Sequence, residues 1–198
     1  MHFLTKITLN VRDLRTHFIK DDNSLHRFVY SLFPKRDISD FPGRFLYADK
    51  GPRQNGRELV VLSQEIPDIP QGITSATLTL SPDFLQFPRY RFMIDMNPVK
   101  REASTGKRRP ILGQLPLLTW FISLGEKNGF AVDPITLEAQ VHPTRVCAKG
   151  DIERLFHHVT FRGNLEVKDT TLFQEAVYNG LGHGKAFGFG LLQLNPIS

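Results

Sequence analysis

Two stretches of this chain alternate apolar and polar side chains, FLTKITLN at Phe3–Asn10 and RYRFMIDM at Arg89–Met96. That period of two belongs to a half-buried strand. Each is followed by apolar residues at helical spacing. Leu25, Phe28, Val29, Leu32 and Phe33 fall at i, i+3, i+4, i+7 and i+8, between the capping cluster Asp21-Asp22-Asn23-Ser24 and Pro34. Leu117, Leu118, Phe121, Ile122 and Leu124 predict a second helix from about Pro116 to Lys127, with proline in its first turn and Gly129 beyond its end. Further strands are predicted at Arg44 to Ala48, Glu58 to Ser63, Ser75 to Leu80, near Leu137 to Val146, His158 to Val167 and Phe189 to Leu194. KGPRQNG is the turn between the first two of these. Asp169 predicts the cap of a helix through Leu172, Phe173, Ala176 and Val177. The second half thus reads β-α-β-β-α-β, and the first reads the same with its second helix unassigned. The fold class expected is α+β: two tandem ferredoxin-like (RRM-like) β-α-β-β-α-β domains, residues 1–87 and 88–198.

At 198 residues and 40% hydrophobic content, the chain can bury one core or two of about 100 residues each. Lys and Arg number 25 against 20 Asp and Glu, a formal charge of +5 that favours polyanionic partners. One cysteine, Cys147, excludes an internal disulfide and a cysteine-based zinc site and fits a reducing compartment. The alternating N-terminus is no secretory leader, and no apolar run approaches the roughly 18 residues a membrane span needs. A soluble cytoplasmic protein without a membrane partner is the expectation.

Near the C-terminus, GLGHGKAFGFGLLQL spans Gly180 to Leu194. Asn179 stands where a Walker loop needs its first glycine, Ala186 replaces the hydroxyl, and Phe187 interrupts a dinucleotide fingerprint. Two readings remain: a nest of backbone N–H groups for an anion, or a helix C-cap followed by a turn. KAFGFG echoes an RNA-recognition signature but leads into the last strand rather than an inner one. Among the seven histidines, His157 and His158 are expected on opposite faces of one strand, and His2, His17 and His142 have no ligand pattern nearby, so no spacing predicts zinc. His26 lies at the rim of the first helix, in its first turn. The helix dipole there favours the neutral base form and Asp21 and Asp22 oppose it, so a catalytic base and an ordinary surface histidine both fit. Arg27, Lys35 and Arg36 lie close by in the chain. Lys100, Arg101, Lys107, Arg108 and Arg109 flank a turn at Ser104 to Gly106, which reads as a solvated loop or as a basic hairpin suited to duplex phosphates.

LHRFVYSLFP (Leu25 to Pro34), NPVK (Asn97 to Lys100), and VTFRGNLEV followed by GLGHGKAFGFGLLQL together resemble the CasE-type CRISPR repeat endoribonucleases of type I-E systems, over nearly the whole chain. The resemblance implies two tandem ferredoxin-like domains. It also implies a metal-independent endoribonuclease without cofactor that cuts precursor RNA at the base of each repeat stem-loop. Attack of the ribose 2′-OH on the adjacent phosphate would leave 5′-OH and 2′,3′-cyclic phosphate ends, and the mature guide RNA would be retained for the Cascade effector complex. The partners implied are the repeat stem-loop and the type I-E Cascade subunits. His26 matches the family's catalytic histidine. Arg27, Lys35, Arg36, Lys100, Arg101, Lys107, Arg108, Arg109, Gly182, Gly184 and Lys185 are the candidates for RNA binding or transition-state support. The family pattern places a tyrosine three residues before the histidine, where this chain has Asn23; Tyr30, one turn after His26, is the candidate substitute. That departure keeps open a non-catalytic subunit that binds the guide-RNA hairpin.

Overall fold

The structure, a computed structural model, describes residues 1–33, 45–53, 56–149 and 152–197. They form two compact units. One takes in Met1–Leu80, Val146–Arg154 and Ala186–Gly188, and the other Ser81–Arg145, Leu155–Lys185 and Phe189–Ser198.

In the first unit, β1 (Phe3–Asn10) leads into a short helix α1 (Val11–Thr16) and then α2 (Asp22–Ser31). The period-two reading did not anticipate α1, which is one and a half turns long and buries no residue. It starts because Asn10 and Asp13 cap each other's backbone N–H groups. The predicted helix is α2. Asp21 accepts from the Ser24 N–H at 2.7 Å, and the Ser24 hydroxyl accepts from the Asp21 N–H at 2.9 Å. This reciprocal cap turns Leu25, Phe28, Val29 and Leu32 onto Ile7, Leu9, Leu59 and Val61 in the core.

The sheet runs β2 (Phe45–Arg53), β3 (Gly56–Ser63), β1, β4 (Thr74–Thr79), all antiparallel. This is the strand order of a ferredoxin-like sheet, as expected. β2 continues to Arg53, so KGPR, read as turn, is mostly strand; a register shift between Asp49 and Pro52 accommodates the proline. The unassigned second helix does not exist: no helix lies between Ser63 and Thr74. The reason is legible in β4. Thr79, Thr77 and Ser75 sit opposite Phe3, Thr5 and Ile7, on the core side of β1, and their hydroxyl-bearing side chains leave a polar, exposed strip on which no apolar helix face would pack.

In the second unit a 3-10 turn at Pro82–Leu85 precedes β5 (Arg89–Met96), then the hairpin β6 (Val99–Arg101) and β7 (Arg108–Pro110), and α3 (Gln114–Lys127). Next come β8 (Phe130–Val132) and β9 (Glu138–Val141). A separate ribbon pairs β10 (Arg145–Lys149) with β11 (Ile152–Phe156). The unit ends with β12 (Val159–Val167), α4 (Thr170–Asn179), capped by Asp169, and β13 (Gln193–Pro196). The order β13-β5-β12-β8, with β9 also on β12, repeats the ferredoxin-like order. Its core is aromatic: Phe121 stacks on Phe161 with centroids 4.4 Å apart and on Phe92 at 5.4 Å, each fully or almost fully buried. A ring pair of this kind contributes on the order of 1 kcal/mol beyond its buried area.

Two strand expectations need correction here. The segment predicted as strand from Phe189 becomes strand only at Gln193, because Leu181 N–H donates to Gly190 O and Gly190 N–H to Asp95 O, outside any ladder register. His157 and His158 link β11 to β12 and belong to no strand, so strand alternation does not govern their directions. Among the described residues no helix is long and apolar enough to cross a membrane.

Candidate active site and nucleic-acid interface

The second turn of α2, one turn later than the sequence placed it, sets His26 half-buried in the first unit, beside the segment Ala186–Gly188 of the same unit. His26 Nδ1 lies 2.5 Å from the Ala186 carbonyl oxygen. A carbonyl only accepts, so Nδ1 carries the hydrogen and Nε2 of the neutral ring has the lone pair. The Tyr47 hydroxyl donates to the same carbonyl at 3.2 Å. The ring is held by two aromatic neighbours, stacked on Phe187 at 4.9 Å and tilted against Tyr30 at 4.2 Å. Gly188 makes this approach possible. It has φ +81°, and a Cβ there would stand 2.9 Å from the Tyr47 ring.

Burial lowers the His26 pKa, the Arg27 charge lowers it further, and the hydrogen bond to Ala186 opposes both. The two aspartates at the helix start face other work. Asp21 accepts from Ser24, and Asp22 lies 3.5 Å from Arg57, which also grips Asp49 through Nε at 2.9 Å and through Nη2. The balance left open by the sequence therefore falls on the neutral, base-competent imidazole. Burial raises the Tyr30 hydroxyl pKa and keeps that group protonated. Arg27 is exposed, and Asn23 is partly buried on α2. Lys35 and Arg36 lie outside the described residues.

The second unit carries the remaining candidates. Lys100 and Arg101 pair with Arg109 and Arg108 across β6 and β7, so the basic hairpin is real and exposed at those positions. Arg101 Nε donates to Gly106 O at 3.1 Å and holds the turn, while Arg109 lies 3.5 Å from Glu102. The glycine loop carries the helix-end reading. Gly180, at φ +70°, ends α4, and the Lys185 ammonium donates to the Asn179 carbonyl at 2.7 Å. A Cβ on Gly184 would meet the Phe189 ring at 2.9 Å and Phe156 at 3.2 Å, and one on Gly182 would meet Met96 at 2.7 Å. Packing thus requires Gly184, whereas at Gly182 the Met96 methyl can yield and it is the φ of +69° that favours glycine. Burial, Arg108 and Lys185 together lower the His183 pKa, so one base of the hairpin and the loop lie within electrostatic reach of each other. Lys185 itself is lowered by burial.

The sequence missed Ala186, Phe187 and Tyr47 as the support of His26. Its only signal was KAFGFG, where Lys185–Phe187 form a 3-10 turn instead of an RNA-recognition strand. It also missed a cluster of Asp95, His142 and His158 in the second unit, where His142 was expected to have no ligand pattern nearby.

The family model described as "CRISPR associated protein" matches residues 2–196. The chain belongs to that family. This CRISPR-associated protein is 33% identical to the CRISPR-associated endoribonuclease Cse3 of Thermus thermophilus over 122 residues, 54% of this chain. The match spans 56% of that relative's length. The solved structure of Thermus thermophilus Cse3 bound to an RNA representing a pre-cleavage complex superposes with a TM-score of 0.76 at 25% identity, covering 98% of this chain and 99% of that one. Cas6e from Escherichia coli str. K-12 shares the fold over 100% of both chains, with a TM-score of 0.75 at 20% identity.

Proposed function

We propose that this CRISPR-associated protein is a metal-independent endoribonuclease that cuts CRISPR precursor RNA at the base of the repeat stem-loop. The observation that carries the reading is the His26 tautomer: Nδ1–H is committed to Ala186 O, and Nε2 is the basic nitrogen of an imidazole held neutral by burial. Nε2 takes the proton of the ribose 2′-OH, and the 2′-oxygen attacks the adjacent phosphorus. The bond to the 5′-oxygen breaks, and the imidazolium returns its proton to that leaving oxygen. The products are a 2′,3′-cyclic phosphate and a 5′-OH. No metal enters this scheme, so charge on the phosphoryl oxygens is met by cations, with Arg27 the nearest in sequence.

Lys35, Arg36, Lys100, Arg101, Lys107, Arg108 and Arg109 hold the stem phosphates in this reading, and Lys185 with the amides of Gly182 and Gly184 lies along the RNA path. The product stays bound and passes to the Cascade complex. The division at residues 1–87 and 88–198 belongs to the same proposal, the first part carrying His26 and the second the hairpin and glycine loop. The name of the Thermus relative, an endoribonuclease, and its complex with a pre-cleavage RNA support the reaction and substrate class.

Asn23, at the position where the sequence resemblance places a tyrosine, favours one other reading: a subunit that holds the guide-RNA hairpin without cutting it. Gel-shift and cleavage assays of wild type and His26→Ala on one repeat hairpin separate the two. Enzyme chemistry predicts a rate loss of roughly 10²–10⁴ in the variant with hairpin affinity kept. A wild type that binds tightly and never cuts leaves only the holding role.

A further inference from the structure

Three segments far apart in the chain meet in the second unit at Asp95, His142 and His158. Asp95 lies near the end of β5, His142 follows β9, and His158 precedes β12. The β5–β12 register sets Asp95 opposite Thr160, and the His142 N–H donates to His158 O at 2.9 Å. Asp95 Oδ1 accepts from His158 Nε2 at 2.9 Å and from the Thr160 hydroxyl. That hydroxyl has one hydrogen, and it goes to the carboxylate. His142 Nε2, 2.8 Å from Thr160 Oγ1, is therefore the donor there. The two imidazoles stack with centroids 4.4 Å apart and present the same nitrogen toward the carboxylate and the threonine. One ligand atom from each of Asp95, His142 and His158 lies within 4.8 Å of the others.

We propose that Asp95, His142 and His158 bind a divalent transition-metal ion of the zinc type, as a clamp on the second unit rather than as part of the cleavage chemistry. Two imidazole nitrogens and one carboxylate oxygen form a donor set suited to zinc, and ligands about 2.0–2.2 Å from the ion stand roughly 3.4 Å apart in a tetrahedral site. The observed spread closes to that with small side-chain rotations. Each imidazole would bind through Nε2 and carry its hydrogen on Nδ1, while the Thr160 hydroxyl keeps its bond to the carboxylate and orients it. The ion would then tie β5, the chain after β9 and the β11–β12 link to one point. Arg145 opposes it. Its guanidinium lies 4.9 Å from the Phe189 ring centroid, and its charge reaches both Asp95 and His142.

The test uses the full chain without an affinity tag, stripped of metal and titrated with Zn2+ against a chromophoric chelator. One equivalent should bind, weakened at least tenfold by His142→Gln and by His158→Gln, unchanged in His17→Gln, and tightened in Arg145→Gln. Zinc should also raise the wild-type Tm and leave that of the His142→Gln/His158→Gln variant unmoved. A wild type that binds Zn2+ no more tightly than the double variant overturns the site. Should the variants fail to fold, the wild-type Co2+ spectrum decides. The intense d–d bands of a four- or five-coordinate site support the proposal, and the weak bands of the hydrated ion contradict it. None of these readouts depends on RNA cleavage.

Discussion

At His26 the chemistry follows from the partner of one nitrogen. The Ala186 carbonyl fixes the hydrogen on Nδ1, and burial with the Arg27 charge lowers the pKa below the ordinary histidine value of 6.5. A lowered pKa keeps the imidazole neutral to a lower pH, so in the proposed reaction the base would persist where an unperturbed histidine is protonated. The acid limb of kcat/KM for the hairpin should accordingly have its midpoint below pH 6.5. A midpoint at or above that value would mean that His26 is not the base, or not in this environment. The cap and apolar stripe made the histidine's place on the helix rim legible, and only the family resemblance singled it out. Its support was not legible, because Ala186 lies 160 residues away and only the tertiary fold brings it to the ring.

At the scale of elements, the basic hairpin and the glycine loop are built differently. The hairpin presents its cations outward, whereas in the loop Gly184 is required by the Phe189 and Phe156 rings packed against it and Lys185 closes the end of α4. Arg101 holds the turn, so a binding test is best made elsewhere on the hairpin. Replacing Lys100, Lys107 and Arg108 together by glutamine should weaken hairpin binding and flatten its salt dependence. The slope of log K against log salt should fall by nearly one for each phosphate the hairpin no longer neutralises, as for duplex DNA. Cleavage at saturating RNA should persist. An unchanged slope would place the RNA elsewhere. α2 and α4 were readable because a capping aspartate, Asp21 or Asp169, stands directly before an apolar stripe, whereas α1 has caps but buries no residue. The absent second helix of the first unit was readable only with the register, which alone shows that Ser75, Thr77 and Thr79 share the core side.

Across the whole molecule, histidines with lowered pKa set the response to acid. Burial lowers the pKa of His2, His26, His142, His157 and His183. The unfolded chain therefore binds more protons than the folded one as pH falls through about 6.5, and stability declines with falling pH. Asp21 and Asp95, whose pKa values are also lowered, extend that decline to more acid conditions. Thermal unfolding followed from about pH 7.5 to about pH 5 should show a steadily falling Tm; a flat or rising Tm would contradict the lowered pKa of these rings. The repeated strand order was legible as a pattern that begins twice, at Phe3 and again at Arg89. The Asp95–His142–His158 cluster was not, since its members are joined by β5–β12 pairing and by no spacing along the chain.

The most direct test of the proposed activity is cleavage of the repeat hairpin in excess EDTA, with all-ribose RNA beside RNA carrying 2′-deoxyribose before the scissile phosphate, and the ends identified by mass. The account predicts a 2′,3′-cyclic phosphate from the all-ribose hairpin and no cut in the deoxy one. Cutting of the deoxy substrate, or cutting that needs added metal, would contradict it.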